Sequence, residues 1–338
     1  MFLELYNWQK DKILSKQSVY LMTKIIIQIN IFCEKHYFCI KIIQKQMNNK
    51  KIAFIINPIS GTVNKTKVVE KIKAASWFAE SNAEIYFTKC AGDASEKTKD
   101  YVAQGFDIVV AVGGDGTVNE IASSLIHTNT ALAIIPIGSG NGLARDLHIP
   151  LKVPKALQLL QNGKVSNIDA CYFNGHPYFC TAGVGYDAEV GTTFAASGKR
   201  GFVSYVIAAL KAYIKMPFTE YKLIIDDKEE INKVAFDITF ANAGQFGNDA
   251  YISPLADLRD GLIDVVVIRK FPWYKCVQVG LRLFTKRLHK SRYVKIYQCK
   301  KAVLERPASA CAHFDGEPFV AGTRIEISID NSALKVIV

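Results

Sequence analysis

Two carboxylates flank a glycine in His313-Phe314-Asp315-Gly316-Glu317-Pro318, and a lone aspartate sits among glycines in Gly113-Gly114-Asp115-Gly116-Thr117. A carboxylate beside a bound phosphate repels it unless it handles a cation or a proton. Packing alone therefore gives no reason for Asp115. Asp315 and Glu317 make a compact acid/base pair able to take a proton from a hydroxyl. The same residues also read as an Asp-Gly hairpin turn with a solvent-exposed glutamate. The glycines around Asp115 let a backbone approach a nucleotide without Cβ collisions. That loop runs on through Val118, Asn119 and Glu120, with Thr117 placed to cap a helix. Two further turns have a similar make-up: Asn57-Pro58-Ile59-Ser60-Gly61 and Gly138-Ser139-Gly140-Asn141-Gly142. None has the GxxxxGK[ST] spacing of a P-loop, or GxGxxG with a downstream acid. The implied chemistry is phosphate binding combined with proton transfer.

Turns of this kind must hang on rigid elements, and the hydrophobic pattern supplies them. Apolar runs at 51–57, 83–88, 107–112 and 131–136 read as strands, and 65–80, 94–104 and 117–126 between them read as helices. Near-continuous apolar strands with crossover helices predict a parallel sheet covered on both faces, an α/β nucleotide-binding domain. The glycine turns then fall at strand C-terminal ends, where open α/β sheets bind ligands and helix N-termini favour phosphate. Beyond about residue 150 strands follow one another, at 168–174, 177–184, 220–226, 232–241, 262–269, 293–299, 324–329 and 333–338. Helical interludes near 201–215 and 272–288 interrupt them. This pattern predicts a second, mostly antiparallel β domain, with a ligand cleft between the two. The expected division is 1–46, 47–150 and 151–338.

The whole chain narrows the function classes. Its 338 residues are 49% apolar, and no run approaches the ~18 apolar residues of a membrane span. Eight cysteines lack CxxC spacing, which reads as reduced thiols of a cytosolic protein. The net charge of +11 is concentrated: the segment 269–306 holds twelve Lys and Arg against the single acid Glu305. An anionic surface is the partner this predicts. No zinc finger or other recognition motif supports nucleic acid. Within that segment Trp273, Val277, Leu281, Phe284 and Leu288 recur at helical steps, with Lys275, Arg282 and Lys286 largely off the stripe. Such a helix either packs on the core or meets a membrane. Residues 1–46 carry seven Lys and three acids without a signal-peptide cleavage site. Met47 opens MNNKKIAFIINP, so the start is expected at Met47, with 1–46 an upstream extension of little function.

NPISG, GGDGTVNE, GSGN and a late DGEP, in that order, resemble the diacylglycerol kinase-like family of lipid kinases, which includes bacterial soluble members and sphingosine kinases. The likeness runs from Lys50 onward. It implies a transferase that uses ATP and Mg²⁺ to phosphorylate a membrane lipid hydroxyl, in phospholipid metabolism, at the cytosolic face of a membrane. It further implies nucleotide contacts from Asn57, Pro58, Ile59, Ser60, Gly61, Thr88, the loop Gly113, Gly114, Asp115, Gly116, Thr117, Val118, Asn119 and Glu120, and Ser139. Glu317 resembles the proton acceptor, with Asp315 beside it, while Asp115 matches the aspartate given that role in sphingosine kinase relatives. The base is thus one of three. Asp257-Leu258-Arg259-Asp260-Gly261-Leu262 resembles a Mg²⁺ site, with a carboxylate from Asp260 and mainly backbone oxygens from Asp257 and Leu262. By itself that loop reads as a turn before a strand. GSGN replaces a commoner bacterial GT-x-N, and the lipid stays open among diacylglycerol, phosphatidylglycerol, a sphingoid base and an unusual bacterial lipid. A homodimer is compatible with the reading. The alternatives are an NAD kinase-like enzyme with a soluble substrate and a non-catalytic nucleotide-binding regulator.

Overall fold

The computed structural model describes residues 50–61, 63–79, 81–196, 213 and 219–338. The extension 1–46 and, apart from Tyr213, the helix expected near 201–215 lie outside them. Strands β1 (Lys51–Ile56), β2 (Asn82–Phe87), β3 (Ile108–Gly113) and β4 (Ala131–Pro136) pair in parallel in the order β2-β1-β3-β4. β3 and β4 are buried at every position, and β1 at all but Lys51, as continuous apolar runs require when both faces are covered. The helices between them are α1 (Lys65–Lys73), α2 (Asp93–Ala103) and α3 (Asp115–Leu125). The Asn64 side chain caps α1 by accepting from the Lys67 amide at 3.3 Å. Two more helices follow β4: α4 (Gly142–Asp146) and α5 (Val153–Asn162). The second of these was not expected; Pro154 in its first turn suits a helix start.

The remaining strands are β5 (Val165–Phe173), β6 (His176–Tyr178), β7 (Thr181–Gly185), β8 (Thr219–Ile225), β9 (Glu229–Ala235), β10 (Asp237–Ala241), β11 (Ile263–Ile268), β12 (Val294–Cys299), β13 (Lys301–Glu305), β14 (Ala310–Phe314), β15 (Glu317–Ala321) and β16 (Arg324–Ile337). Helices α6 (Tyr186–Ala196) and α7 (Cys276–Phe284) interrupt them, and a 3₁₀ turn, Trp273–Lys275, leads into α7. One sheet runs β12-β11-β10-β7-β14-β15, antiparallel throughout. The other continues the parallel sheet as β4-β16-β13-β8-β9, with β5 also on β16. The predicted fold class is therefore the one observed.

Two single strands of the sequence reading divide in the structure, and two others merge. The chain changes sheets between β9 and β10, at Phe236, so 232–241 divides in two. The run 177–184 divides at Phe179-Cys180 into β6 and β7. Conversely 324–338 is one strand, irregular between Asp330 and Leu334 where Ser332 takes φ +57°. The buried Asp169 carboxylate grips that irregularity, accepting from the Ser332 amide at 2.7 Å and from the Gly261 amide at 2.8 Å. A core of Cys171, Phe173, Leu223, Phe240, Val265 and Ile325 fills the space between the two sheets.

Candidate active site

β1, β3 and β4 each end in one of the glycine turns, and the three turns touch. A methyl on Gly138 would fall 2.4 Å from Gly114 Cα, and one on Gly61, at φ +58°, 1.8 Å from the Ile137 carbonyl oxygen. Only glycine allows so close an approach. Side chains tie the turns together further. Asn57 Nδ2 donates to Thr117 Oγ1 at 3.0 Å, and Asn57 Oδ1 accepts from the Ile59 amide. Asn141 takes a left-handed conformation, φ +53°, and its side chain brackets Gly138 through both amide and carbonyl. The Lys65 ammonium donates to the Ser60 and Val63 carbonyls, which brings a cation onto the first turn.

Asp115 belongs to this bracing. Its Oδ2 accepts from the Asn141 amide at 2.8 Å and its Oδ1 from the Gly142 amide at 2.6 Å. Burial raises its pKa, and these amide bonds only partly oppose the rise. A lone carboxylate in a glycine loop is expected at the surface, but Asp115 is half-buried and joins the start of α3 to the start of α4. Glu120 is likewise occupied, accepting from the Gly92 amide at 3.1 Å. Val118 points into the core, leaving only its backbone for a ligand. Thr88 stands half-buried after β2 with its amide on the Ile56 carbonyl, while Pro58, Ile59 and Ser139 are exposed and Ser60 is half-buried. The first-turn amides of α3, Gly116 and Thr117 among them, lack intrahelical acceptors and suit a phosphate.

The β14–β15 hairpin reaches this cluster from the other sheet. Asp315 and Gly316, at φ +47° and +85°, form its two-residue turn between the paired Phe314 and Glu317. The Asp315 carboxylate accepts from the amides of Phe179, Cys180 and Thr181 and, at 2.8 Å, from Asn119 Nδ2. Asn119 thereby links α3 to the hairpin. Burial raises the Asp315 pKa against the pull of these donors. Glu317 accepts no hydrogen bond among the described residues, and its Oε1 lies over Gly116, 2.5 Å from where a methyl there would sit. Its side chain is open to solvent on one side. Packing on the other side, with the charges of Glu120 and Asp315, raises its pKa. The structure thus brings Asp115, Asp315 and Glu317 together and leaves only Glu317 with both oxygens free.

Residues 51–173 match the diacylglycerol kinase catalytic domain, and residues 180–338 match the YegS C-terminal NAD kinase beta sandwich-like domain. The chain belongs to the diacylglycerol kinase-like lipid kinases. A Bacillus subtilis diacylglycerol kinase is 29% identical over 231 residues, 65% of this chain and 74% of that protein. A Mycobacterium tuberculosis diacylglycerol kinase is 29% identical over 296 residues, 85% of this chain and 94% of that one. An uncharacterized Synechocystis protein is 30% identical over 254 residues, and there the match spans only 58% of the relative's length. A solved diacylglycerol kinase from Bacillus anthracis str. Sterne superposes with a TM-score of 0.68 at 20% identity, over 85% of this lipid kinase and 96% of that chain. That likeness concerns the fold.

The loop before β11 lies apart from these turns. Asp257 and Asp260 are exposed; their carboxylates accept from the Arg259 and Leu262 amides at 3.1 and 2.9 Å. Burial raises the Asp260 pKa and the Leu262 amide opposes it, while the neighbouring Asp257, Asp264 and Asp169 charges raise it further. Among the described residues no group of three His, Cys, Asp or Glu side chains converges on a metal position. Mg²⁺ commonly takes one or two carboxylates and keeps several waters. An Asp260 carboxylate with nearby backbone oxygens, in a loop crowded with negative charge, fits that donor chemistry.

Proposed function

We propose that this lipid kinase transfers the γ-phosphoryl group of ATP to a hydroxyl of a membrane lipid, with diacylglycerol as the first choice and Glu317 as the base. The observation that carries the assignment is the unbonded Glu317 carboxylate above Gly116. In this mechanism the glycine turns and the α3 N-terminus hold the nucleotide phosphates. Glu317 accepts the hydroxyl proton as the lipid oxygen attacks the γ-phosphorus, and the bond to the ADP oxygen breaks in line. Asp115 and Asp315 fix the positions of the turns and the hairpin, so that the reacting groups meet in a set geometry. Asp260, with the Asp257 and Leu262 oxygens, would hold Mg²⁺, whose charge would offset the acids gathered at that loop. A lipid substrate places the enzyme peripherally at the cytosolic face of a membrane. No helix among the described residues is long and apolar enough to cross one.

Incubation with γ-labelled ATP and a panel of diacylglycerol, phosphatidylglycerol, a sphingoid base and NAD tests this. Label in phosphatidic acid is the expected result. Label in NAD alone, or in no lipid, overturns it.

A further inference from the structure

Helix α7 is apolar on two faces. Cys276, Val279 and Leu283 turn inward onto a cluster that includes Phe236, Val266, Phe271 and Leu288. Opposite them Trp273, Tyr274, Val277 and Leu281 are 76%, 64%, 73% and 61% exposed. Of the stripe expected from the sequence, only Leu288 is buried; the rest faces outward. The inward face accounts for the helix's place in the fold. The outward face does not, and an exposed apolar patch of this kind marks an interaction surface.

The cations around it indicate the partner. A groove of about 750 Å³ runs along the outward face, where Tyr274, Val277 and Leu281 meet Arg282, Arg287 and Lys290. None of these three cations forms an ion pair with a described residue. Arg282 Nη1 is buried there without a hydrogen-bond partner among the described residues. Trp and Tyr favour the boundary between headgroups and acyl chains, and guanidinium groups suit phosphate. We propose that this face docks the enzyme on an anionic phospholipid bilayer, with Trp273, Val277 and Leu281 entering the headgroup boundary and Arg282, Arg287 and Lys290 meeting lipid phosphates. An interfacial helix needs this pairing of apolar contact and positive charge. The face is also tied to the catalytic turns. The Tyr251 amide donates to the Leu283 carbonyl at 2.9 Å, Lys286 Nζ lies 4.2 Å from the Tyr251 ring centre, and nearby Gly247 packs on Gly140.

The proposal rests on a membrane lipid being the substrate, and the test separates the two. The full-length protein is sedimented with vesicles of phosphatidylglycerol and phosphatidylcholine, and with phosphatidylcholine alone, at low and high salt. Activity is followed on diacylglycerol in those vesicles and on a water-dispersed short-chain diacylglycerol. Binding to the anionic vesicles alone, weakening as salt shortens the reach of the charges, is expected. The pair Val277→Ser with Leu281→Ser, and separately Arg282→Gln with Arg287→Gln and Lys290→Gln, should each weaken vesicle binding about tenfold or more. Melting temperature and the rate on the dispersed substrate should stay unchanged. Vesicle binding without any lipid phosphorylation supports docking and overturns only the assigned substrate. Equal binding to both vesicles, or none, overturns docking. So does a dimer in solution that the Val277/Leu281 pair dissolves, since the face would then meet a second copy.

Discussion

The glycine turns and the tip of the β14–β15 hairpin treat their carboxylates in opposite ways. In the turns Asp115 spends both oxygens on the amides of Asn141 and Gly142, and Glu120 accepts from Gly92. On the hairpin Asp315 is saturated by four donors, while Glu317, two residues on, has none among the described residues. A carboxylate that satisfies backbone amides holds shape, and protonating or replacing it is felt by the fold. One left unbonded at a phosphate-binding surface contributes little to stability and is free to take a proton. The contrast separates three acids that sequence alone leaves equivalent.

The strongest perturbation should come from the anchor beneath the hairpin. His313 in β14 is buried, and its Nε2 lies 2.8 Å from Asp187 Oδ2. Burial works to lower the His313 pKa, but the Asp187 charge and hydrogen bond raise it. Burial would raise Asp187, yet His313, Asp237 and Thr239 together hold it below the usual carboxylate range. Asp187→Asn removes the charged partner of the buried His313 and should cost about 3–5 kcal/mol in denaturant unfolding. The sign with pH follows. A histidine raised in the fold stabilises below its unfolded pKa and loses that contribution as pH rises through its folded value. The wild-type melting temperature should fall on the alkaline side, and the Asp187→Asn variant should lose that slope.

Next come the bracing aspartates. Asp115→Asn and Asp315→Asn each turn an acceptor into a donor facing N–H groups, and should lose about 1–3 kcal/mol together with activity. Unchanged stability in both would break the distinction between held and open carboxylates. Gly116→Ala sharpens it from the other side, because its methyl meets only the mobile end of Glu317. Phosphoryl transfer should drop while thermal stability barely moves. The smallest effect is expected at Asp237, which burial and the Asp187 charge push well above the carboxylate range, favouring its neutral form. Asp237→Asn copies that neutral form and should change stability by less than about 1 kcal/mol.

The parallel sheet was legible because its strands are continuous apolar runs and its glycine turns follow them directly. The hairpin turn was legible in Asp315-Gly316. What the turn residues do there was not, since the amides that hold Asp315 come from 179–181, some 130 residues earlier, and Asn119 comes from α3. Strands β13 to β15 were missed because the apolar run of β13 is only Ala302-Val303-Leu304 between charged residues, and β14 and β15 alternate weakly. The stripe on α7 was visible, but its direction was not. Period alone cannot say which side a helix buries when Cys276, Val279 and Leu283 form a second apolar face.

The central claim, that Glu317 is the base, is tested most directly by the pH–rate profile of Glu317→Gln beside the wild type. With Glu317 raised above the ordinary carboxylate range, wild-type kcat/KM should rise with pH along an acid limb lying above that range as the base ionises. The glutamine variant should lose about 10²–10⁴-fold in rate and lose that limb, with its melting temperature unchanged. A variant that keeps near wild-type rates and the same limb would contradict the assignment and return the role to Asp115 or Asp315.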